Sequence, residues 1–246
     1  LEGVTSSGKT EVYFSLIEEQ LKNEMQVLFL LPEISLTAQM VQRLHKRFGE
    51  QVTVFHSKFS IHERVEVWKN ILHTSPKARI VIGARSAIFL PFSRLGLIVV
   101  DEEHEASFKQ FDPAPRYQAR DAAIVLANQY KCKLLLGSAT PSIESRFNVS
   151  RKKYGHVQLF ERFGEAVLPL VQTIDLKEAH KKKEMKGLFS KTLFEAIENS
   201  LSQGKQIILF QNRRGYAPLL ECHTCGHIPQ CTNCDVSLTY HQYNQQ

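Results

Sequence analysis

The chain has 246 residues, 43% hydrophobic and 23% charged, with 9 prolines: enough apolar content for a core, and neither the composition nor the charge of a disordered chain. Its longest apolar runs, Val27–Leu31 and Leu95–Val100, fall short of the roughly 18 residues a membrane-spanning helix needs, and no secretory signal pattern is present. A net charge of +6 is compatible with nucleic-acid binding without demanding it, and 5 cysteines argue against a secreted disulfide framework. The length fits one large domain or two small ones. Leu1 at the start and a polar tail after the cysteines read as cut ends of a longer protein.

Gly3-Val4-Thr5-Ser6-Ser7-Gly8-Lys9-Thr10 matches the phosphate-binding pattern G-x-x-x-x-G-K-[ST]. Glycines let backbone N–H groups of Thr5, Ser6, Ser7 and Gly8 approach phosphate oxygens, Lys9 adds a positive charge, and Thr10 offers a hydroxyl to Mg²⁺. An amphipathic helix over Glu11–Asn23 follows at once and points its positive end at the nucleotide. The strand that should precede the loop is expected to be missing.

Short Val/Ile/Leu-rich runs predict strands at Val27–Leu31, Val52–Phe55, Ile80–Ile82, Leu97–Val100 and Leu134–Leu136. They are continuous rather than alternating, the mark of a parallel sheet covered on both faces. Helical patterns at Ser35–Phe48, His62–Leu72 and Gln118–Gln129 lie between them, so the fold class is α/β. Trp68, on an apolar helical face with Val65 and Leu72, reads as core packing. The Lys177–Lys186 charge run reads as a solvated linker or exposed loop, with a phosphate-contacting patch as the alternative. Lys191–Leu201 as a helix and Gln206–Phe210 as a strand open a second α/β unit.

The run ending in Asp101-Glu102-Glu103-His104 is an apolar strand with carboxylates at its end. With a phosphate loop upstream, Asp101 would hold Mg²⁺ and Glu102 would polarise the attacking water as general base. The hydroxyls of Ser138 and Thr140, after another strand, can bond this acidic cluster and couple it to a neighbouring segment. Phe108, Lys109, Phe111, Arg116 and Tyr117 follow directly; interleaved aromatics and cations suit stacking on unpaired bases with phosphate neutralisation, and packing of the loop onto its own domain is the alternative. Arg85 is a candidate phosphate contact, with a surface salt bridge as its rival. Cys222-x-x-Cys225 and Cys231-x-x-Cys234 offer four thiolates suited to tetrahedral Zn²⁺, with a redox pair as the alternative.

In this order the motifs resemble superfamily 2 helicases: Gly3–Thr10, then Asp101-Glu102-Glu103-His104, then Ser138-Ala139-Thr140. Leu31–Thr37, Phe55-His56-Ser57, Ile82–Phe89 and Phe210–Tyr216, leading into the cysteines, narrow the resemblance to the bacterial primosomal replication-restart helicases over the whole chain. It implies a RecA-like first lobe over 1–150 lacking its first strand, a connecting segment at 151–187, the start of a second RecA-like lobe at 188–216 and a partial zinc-binding module at 217–246. It also implies a cytoplasmic, ATP-dependent 3′-to-5′ DNA helicase using ATP, Mg²⁺ and two Zn²⁺. Forked and single-stranded DNA, other primosomal proteins, a replicative-helicase loader and single-strand binding protein would be its partners. Catalytic roles fall on Lys9, Asp101, Glu102 and His104, and the aromatic-rich loop would couple DNA binding to hydrolysis. The family loop usually reads Thr-Gly-Ser-Gly-Lys-Thr, so Ser6 stands where a glycine is usual and is costly if that position needs φ > 0. An arginine of the remaining second lobe completes the ATP site in such motors, so this segment alone is expected to hydrolyse ATP poorly. A translocase without strand separation, or a non-catalytic zinc-bearing DNA-binding module, are the alternative functions.

Overall fold

The computed structural model describes residues 1–32, 38–56, 59–164, 169–210, 225 and 227–229. The chain divides into two units, Leu1–Leu168 and Pro169–Gln246. The first runs β1 (Glu2–Gly3), α1 (Lys9–Lys22), β2 (Gln26–Leu30), α2 (Ala38–Phe48), β3 (Val52–Phe55), α3 (Ile61–Leu72), β4 (Ile80–Gly83), β5 (Leu95–Asp101), α4 (Ala119–Tyr130), β6 (Lys133–Gly137), α5 (Ile143–Ser150) and β7 (Gln158–Leu159).

The five expected apolar runs of this unit are strands, and they form one parallel sheet in the order β3-β4-β2-β5-β6. Side chains along a strand alternate between faces, so a continuous apolar run feeds two cores at once. Leu28 and Leu30 join Val81, Ile98 and Val100 on one face, under Ile71 of α3 and Ala119, Ala123 and Ala127 of α4. Val27 and Phe29 join Ile80, Ile82, Leu97 and Val99 on the other, under Tyr13, Phe14 and Ile17 of α1 and Leu44 and Phe48 of α2.

The strand before the phosphate loop, expected to be missing, is represented by Leu1–Gly3. The Leu1 amino group donates to Leu136 O at 2.7 Å, Ser138 N to Leu1 O at 3.1 Å and Gly3 N to Ser138 O at 3.0 Å. These residues continue the sheet beyond β6, and Glu2 and Gly3 pair in parallel with Gln158 and Leu159 of β7. The segment 151–187 therefore contributes a strand to this unit and helical turns to the next.

Trp68 is a correction. It is 46% exposed, and Ile61, Val65 and Leu72 on the same stripe of α3 are exposed as well. Ile71, the residue α3 buries, lies about 100° around the helix from that stripe. Ser60 caps α3 in a reciprocal box with Glu63.

In the second unit, Asp175 caps α6 (Leu176–Lys181) by accepting from Lys177 N and Glu178 N. β8 (Met185–Lys186) and β9 (Phe189–Ser190) form a hairpin whose turn uses Gly187 at φ 64°. Ser190 caps α7 (Lys191–Ser202). The lysine-rich run, expected as a linker, thus forms α6 and part of the hairpin, with its lysines exposed. Gln206–Phe210 is not a strand: no described strand lies beside it to complete a ladder, and Ile208 and Phe210 are 94% and 86% exposed.

Candidate active site

The phosphate loop bridges β1 and α1. Gly8 caps α1 from the left-handed region at φ 89°, where a side chain is strained. Ser6 also has positive φ, 65°, so the position where the resemblance leads to the expectation of glycine adopts left-handed backbone here. A Cβ on Gly3 would meet Ser7 Oγ at 2.6 Å, which keeps the start of the loop bare. Lys9 Nζ donates to Gly3 O at 2.6 Å, and Phe163 N donates to Ser6 O at 2.9 Å, bracing the loop from the segment after β7.

Asp101 ends β5, one strand removed from β1, with β6 between. Tyr13, one turn beyond Lys9 on α1, donates its hydroxyl to Asp101 Oδ1 at 2.8 Å, and Glu102 N donates to the same oxygen at 3.1 Å. Tyr13 crosses directly over Gly137 of β6: a Cβ there would lie 1.8 Å from the tyrosine oxygen. Burial pushes the Asp101 carboxyl above its ordinary range, opposed by the Tyr13 bond. Burial, then the Asp101 charge, raises Glu102 as well. The Tyr13 phenol is pushed up by burial first and by Asp101 second.

Glu102 sits at φ 49° and faces His104, whose Nδ1 lies 3.7 Å from Glu102 Oε2. The same Nδ1 is 2.8 Å from Ser138 Oγ, and Nε2 is 3.4 Å from Thr140 Oγ1. The hydroxyl pair chosen from sequence is therefore joined to the acidic turn through His104. Glu103 turns the other way, into the interior, where it is 1% exposed.

In the neighbouring loop, Phe108 is a correction. It is 1% exposed and packed with Ile98, Val100 and the alanines of α4, so it anchors the loop and has no free face for a base. Tyr117 is half-buried with its ring edge-on to Phe89 at 4.8 Å. Arg85 Nη1 donates to Ser107 O and Lys109 O at 3.3 and 3.2 Å, bracing the backbone of this loop rather than forming the salt bridge weighed as its rival. Phe111, at 67%, and Arg116 face solvent, while Lys109 is half-buried. Of the four candidate zinc ligands only Cys225 is described, exposed and unpaired as a disulfide; Cys222, Cys231 and Cys234 lie outside the described residues.

The DEAD/DEAH box helicase family model matches residues 1–148. The chain belongs to the DEAD/DEAH box helicase family. A second model, the PriA DNA helicase Cys-rich region domain, matches 231–246, which include Cys231 and Cys234. The chain is 45% identical over all 246 residues to the replication restart protein PriA of Bacillus subtilis, covering 100% of this chain and 30% of that protein. It is 48% identical over 243 residues to PriA of Haemophilus influenzae, covering 99% and 32%, and 44% identical over 242 residues to PriA of Rickettsia felis, covering 98% and 37%. It thus spans about a third of the length of these relatives. The resemblance read from the motifs, and the α/β RecA-like fold class, are borne out.

Family membership implies nucleotide and Mg²⁺, and the cysteine-rich match implies zinc. The nucleotide loop fits such a ligand. Ser7 Oγ is buried with no protein partner, the space beside Gly8 is open, and Thr10 and Asp101 offer the hard oxygen donors that Mg²⁺ takes. Sequence reasoning missed Tyr13, Gly137, Arg120 and Ser142. Only Ser142 carries a local signal, a serine after Pro141 at the start of a helical pattern.

Proposed function

We propose that this chain carries the ATP-hydrolysing site of a 3′-to-5′ DNA helicase that remodels stalled or collapsed forks and initiates primosome assembly for replication restart. The observation that supports it most is the approach of loop Gly3–Thr10 to Asp101 and Glu102 at neighbouring strand ends, Tyr13 tying the helix after the loop to the acidic strand end. The relatives' name, replication restart protein PriA, supports the cellular role.

In this reading the N–H groups of Thr5, Ser6, Ser7 and Gly8 and the Lys9 ammonium bind the phosphates. Mg²⁺, when bound, neutralises phosphate charge and is held by Thr10 and Asp101. Glu102 accepts a proton from the attacking water, and its burial-raised pKa makes it a stronger base than an exposed carboxylate. His104 passes the state of this turn to Ser138 and Thr140. Phe111, Arg116, Lys109 and Tyr117 meet single-stranded DNA on the loop that Arg85 braces, while Cys222, Cys225, Cys231 and Cys234 hold zinc. The partners are forked DNA, other primosomal proteins, a replicative-helicase loader and single-strand binding protein, in the cytoplasm.

ATP turnover and strand displacement on forked DNA, comparing the natural protein with Lys9→Ala, test the proposal. DNA-stimulated turnover and unwinding that both vanish in Lys9→Ala are expected. Turnover without strand displacement identifies a translocase, and DNA remodelling that survives Lys9→Ala overturns the motor reading.

A further inference from the structure

The acidic turn holds two carboxylates that face its nucleotide side and a third, Glu103, that does not. Glu103 is among the few buried charged residues of the described chain. Its carboxylate accepts four hydrogen bonds: from Ser142 N at 2.7 Å, Ser142 Oγ at 3.0 Å, Ser145 Oγ at 3.0 Å and Arg120 Nη1 at 3.1 Å. The Arg120 side chain is itself 9% exposed and also donates to Ser142 Oγ at 2.6 Å. The backbone N–H of Glu103 bonds Gly137 O at 3.1 Å, at the end of β6. A carboxylate buried this deeply is stable only with a full set of donors and a paired cation, and both are present.

This network sits between two functional pieces. Glu102 immediately precedes Glu103 and has left-handed backbone, a conformation that persists only where its surroundings hold it. Its carboxylate has a close side-chain contact with the His104 ring, at 3.7 Å. The residues on either side of Glu102 are held firmly, Asp101 by Tyr13 and Glu103 by Ser142, Ser145 and Arg120. Ser142, in turn, caps α5 and closes the loop that begins at Ser138. Two adjacent side chains of one turn thus grip the two ends of one loop. His104 holds Ser138 and Thr140 with a ring that is 30% exposed, whereas Glu103 holds Ser142 from the interior. The surface contact costs less to break than the buried ion pair, whose loss would leave a charge unpaired in the interior.

We propose that Glu103 is a positioning residue, the fixed pivot that registers the turn carrying Glu102 and His104 against the loop 138–142. The inference rests on reading Glu102 as the general base, and deepens it. Glu103 faces the interior; it sets where Glu102 points and whether His104 meets Ser138. Loss of that register slows the chemical step and largely spares phosphate binding at Lys9, because the loop Gly3–Thr10, besides the bond from Gly3 N to Ser138 O, is also braced by Phe163 N and β7.

The test uses Glu103→Gln, which keeps shape but puts a donor against the Arg120 and serine donors, and Ser145→Ala, which removes one bond and keeps the ion pair. The ring ¹⁵N resonances of His104, assigned with His104→Asn, report the Ser138 contact directly and need no turnover. Both variants are expected to move those resonances toward free imidazole, with affinity for a fluorescent ATP analogue within about twofold of the parent. Where turnover is measured, kcat falls about tenfold or more in Glu103→Gln with KM unchanged, the scale on which a misplaced catalytic group slows chemistry. Should Glu103→Gln fail to fold, Ser145→Ala decides alone. A folded variant that retains the parent His104 resonances overturns the inference. Failure of the underlying ATP-site reading looks different: nucleotide affinity survives in Lys9→Ala.

Discussion

The hydroxyl of Tyr13 lies 2.8 Å from Oδ1 of Asp101, and it reaches there only because Gly137 has no side chain in its path. Hydrogen bonds to buried charged groups contribute about 1.5–3 kcal/mol, so Tyr13→Phe is expected to lower stability by that amount in urea unfolding. Gly137→Ala is expected to cost about 1–3 kcal/mol through the clash with the tyrosine oxygen. The double variant costs less than the two single losses added, because phenylalanine lacks the atom that the new methyl strikes. Strict additivity in the cycle would count against the contact.

Ser6 occupies left-handed backbone, φ 65°, in the middle of the phosphate loop. That conformation costs an L-residue about 1–2 kcal/mol, of which glycine recovers part after its greater unfolded-state freedom. Ser6→Gly is expected to raise the stability of the first unit by about 0.5–1 kcal/mol in thermal unfolding. A loss of stability would mean that the serine makes a compensating contact.

Phe108 and Phe111 are three residues apart and have opposite fates. Phe108→Ala removes a fully buried ring and is expected to cost about 3–5 kcal/mol, visible as a lower urea midpoint. On the proposed DNA-binding role of this loop, Phe111→Ala is expected to leave the midpoint unchanged and to lower single-stranded DNA affinity, since a base stacked on an aromatic ring contributes about 1–3 kcal/mol. Equal unfolding midpoints in the two variants would contradict this division.

Glu63 closes the capping box of α3: Ser60 N donates to its carboxylate at 2.7 Å. Hydrogen bonding from the Ser60 side chain, then from its backbone, holds the Glu63 carboxyl below its ordinary range. A depressed folded-state value means the box contributes fully above the unfolded-state pKa and is lost as pH falls through the lower, folded-state one. Ser60→Ala is expected to raise the Glu63 titration midpoint in carboxyl-detected NMR. It should also bring faster amide exchange in the first turn of α3 at neutral pH.

Lys9, Thr10, Asp101 and Glu102 were legible because each belongs to a short contiguous pattern whose chemistry fixes its order. Tyr13 was not: its partner is 88 residues away, and nothing local distinguishes it from the other apolar residues of α1. Trp68 shows a different limit. A stripe at helical spacing says that one face of α3 is apolar, but the sheet, through Ile71, decides which face turns inward. Gln206–Phe210 shows a third. An apolar run becomes a strand only when another strand offers it hydrogen bonds, and no described strand does. Glu103 was seen as part of a motif, yet its partners Arg120, Ser142 and Ser145 come from two helices that only the folded chain brings together.

The pairing of β1 with β7 has a consequence for how this unit is made. Glu2 bonds His156 Nε2 at 2.9 Å across a separation of 154 residues, and Gly3 pairs with Leu159. Every strand of the main sheet leaves the ribosome before that latch exists. Within this unit the phosphate loop emerges ahead of the strands of the main sheet, together with the short strand that anchors it, and is among the last parts to gain its final support. Closing so long a loop also carries one of the larger entropic costs in the unit, so the nucleotide loop is secured late, after the sheet beside it has formed.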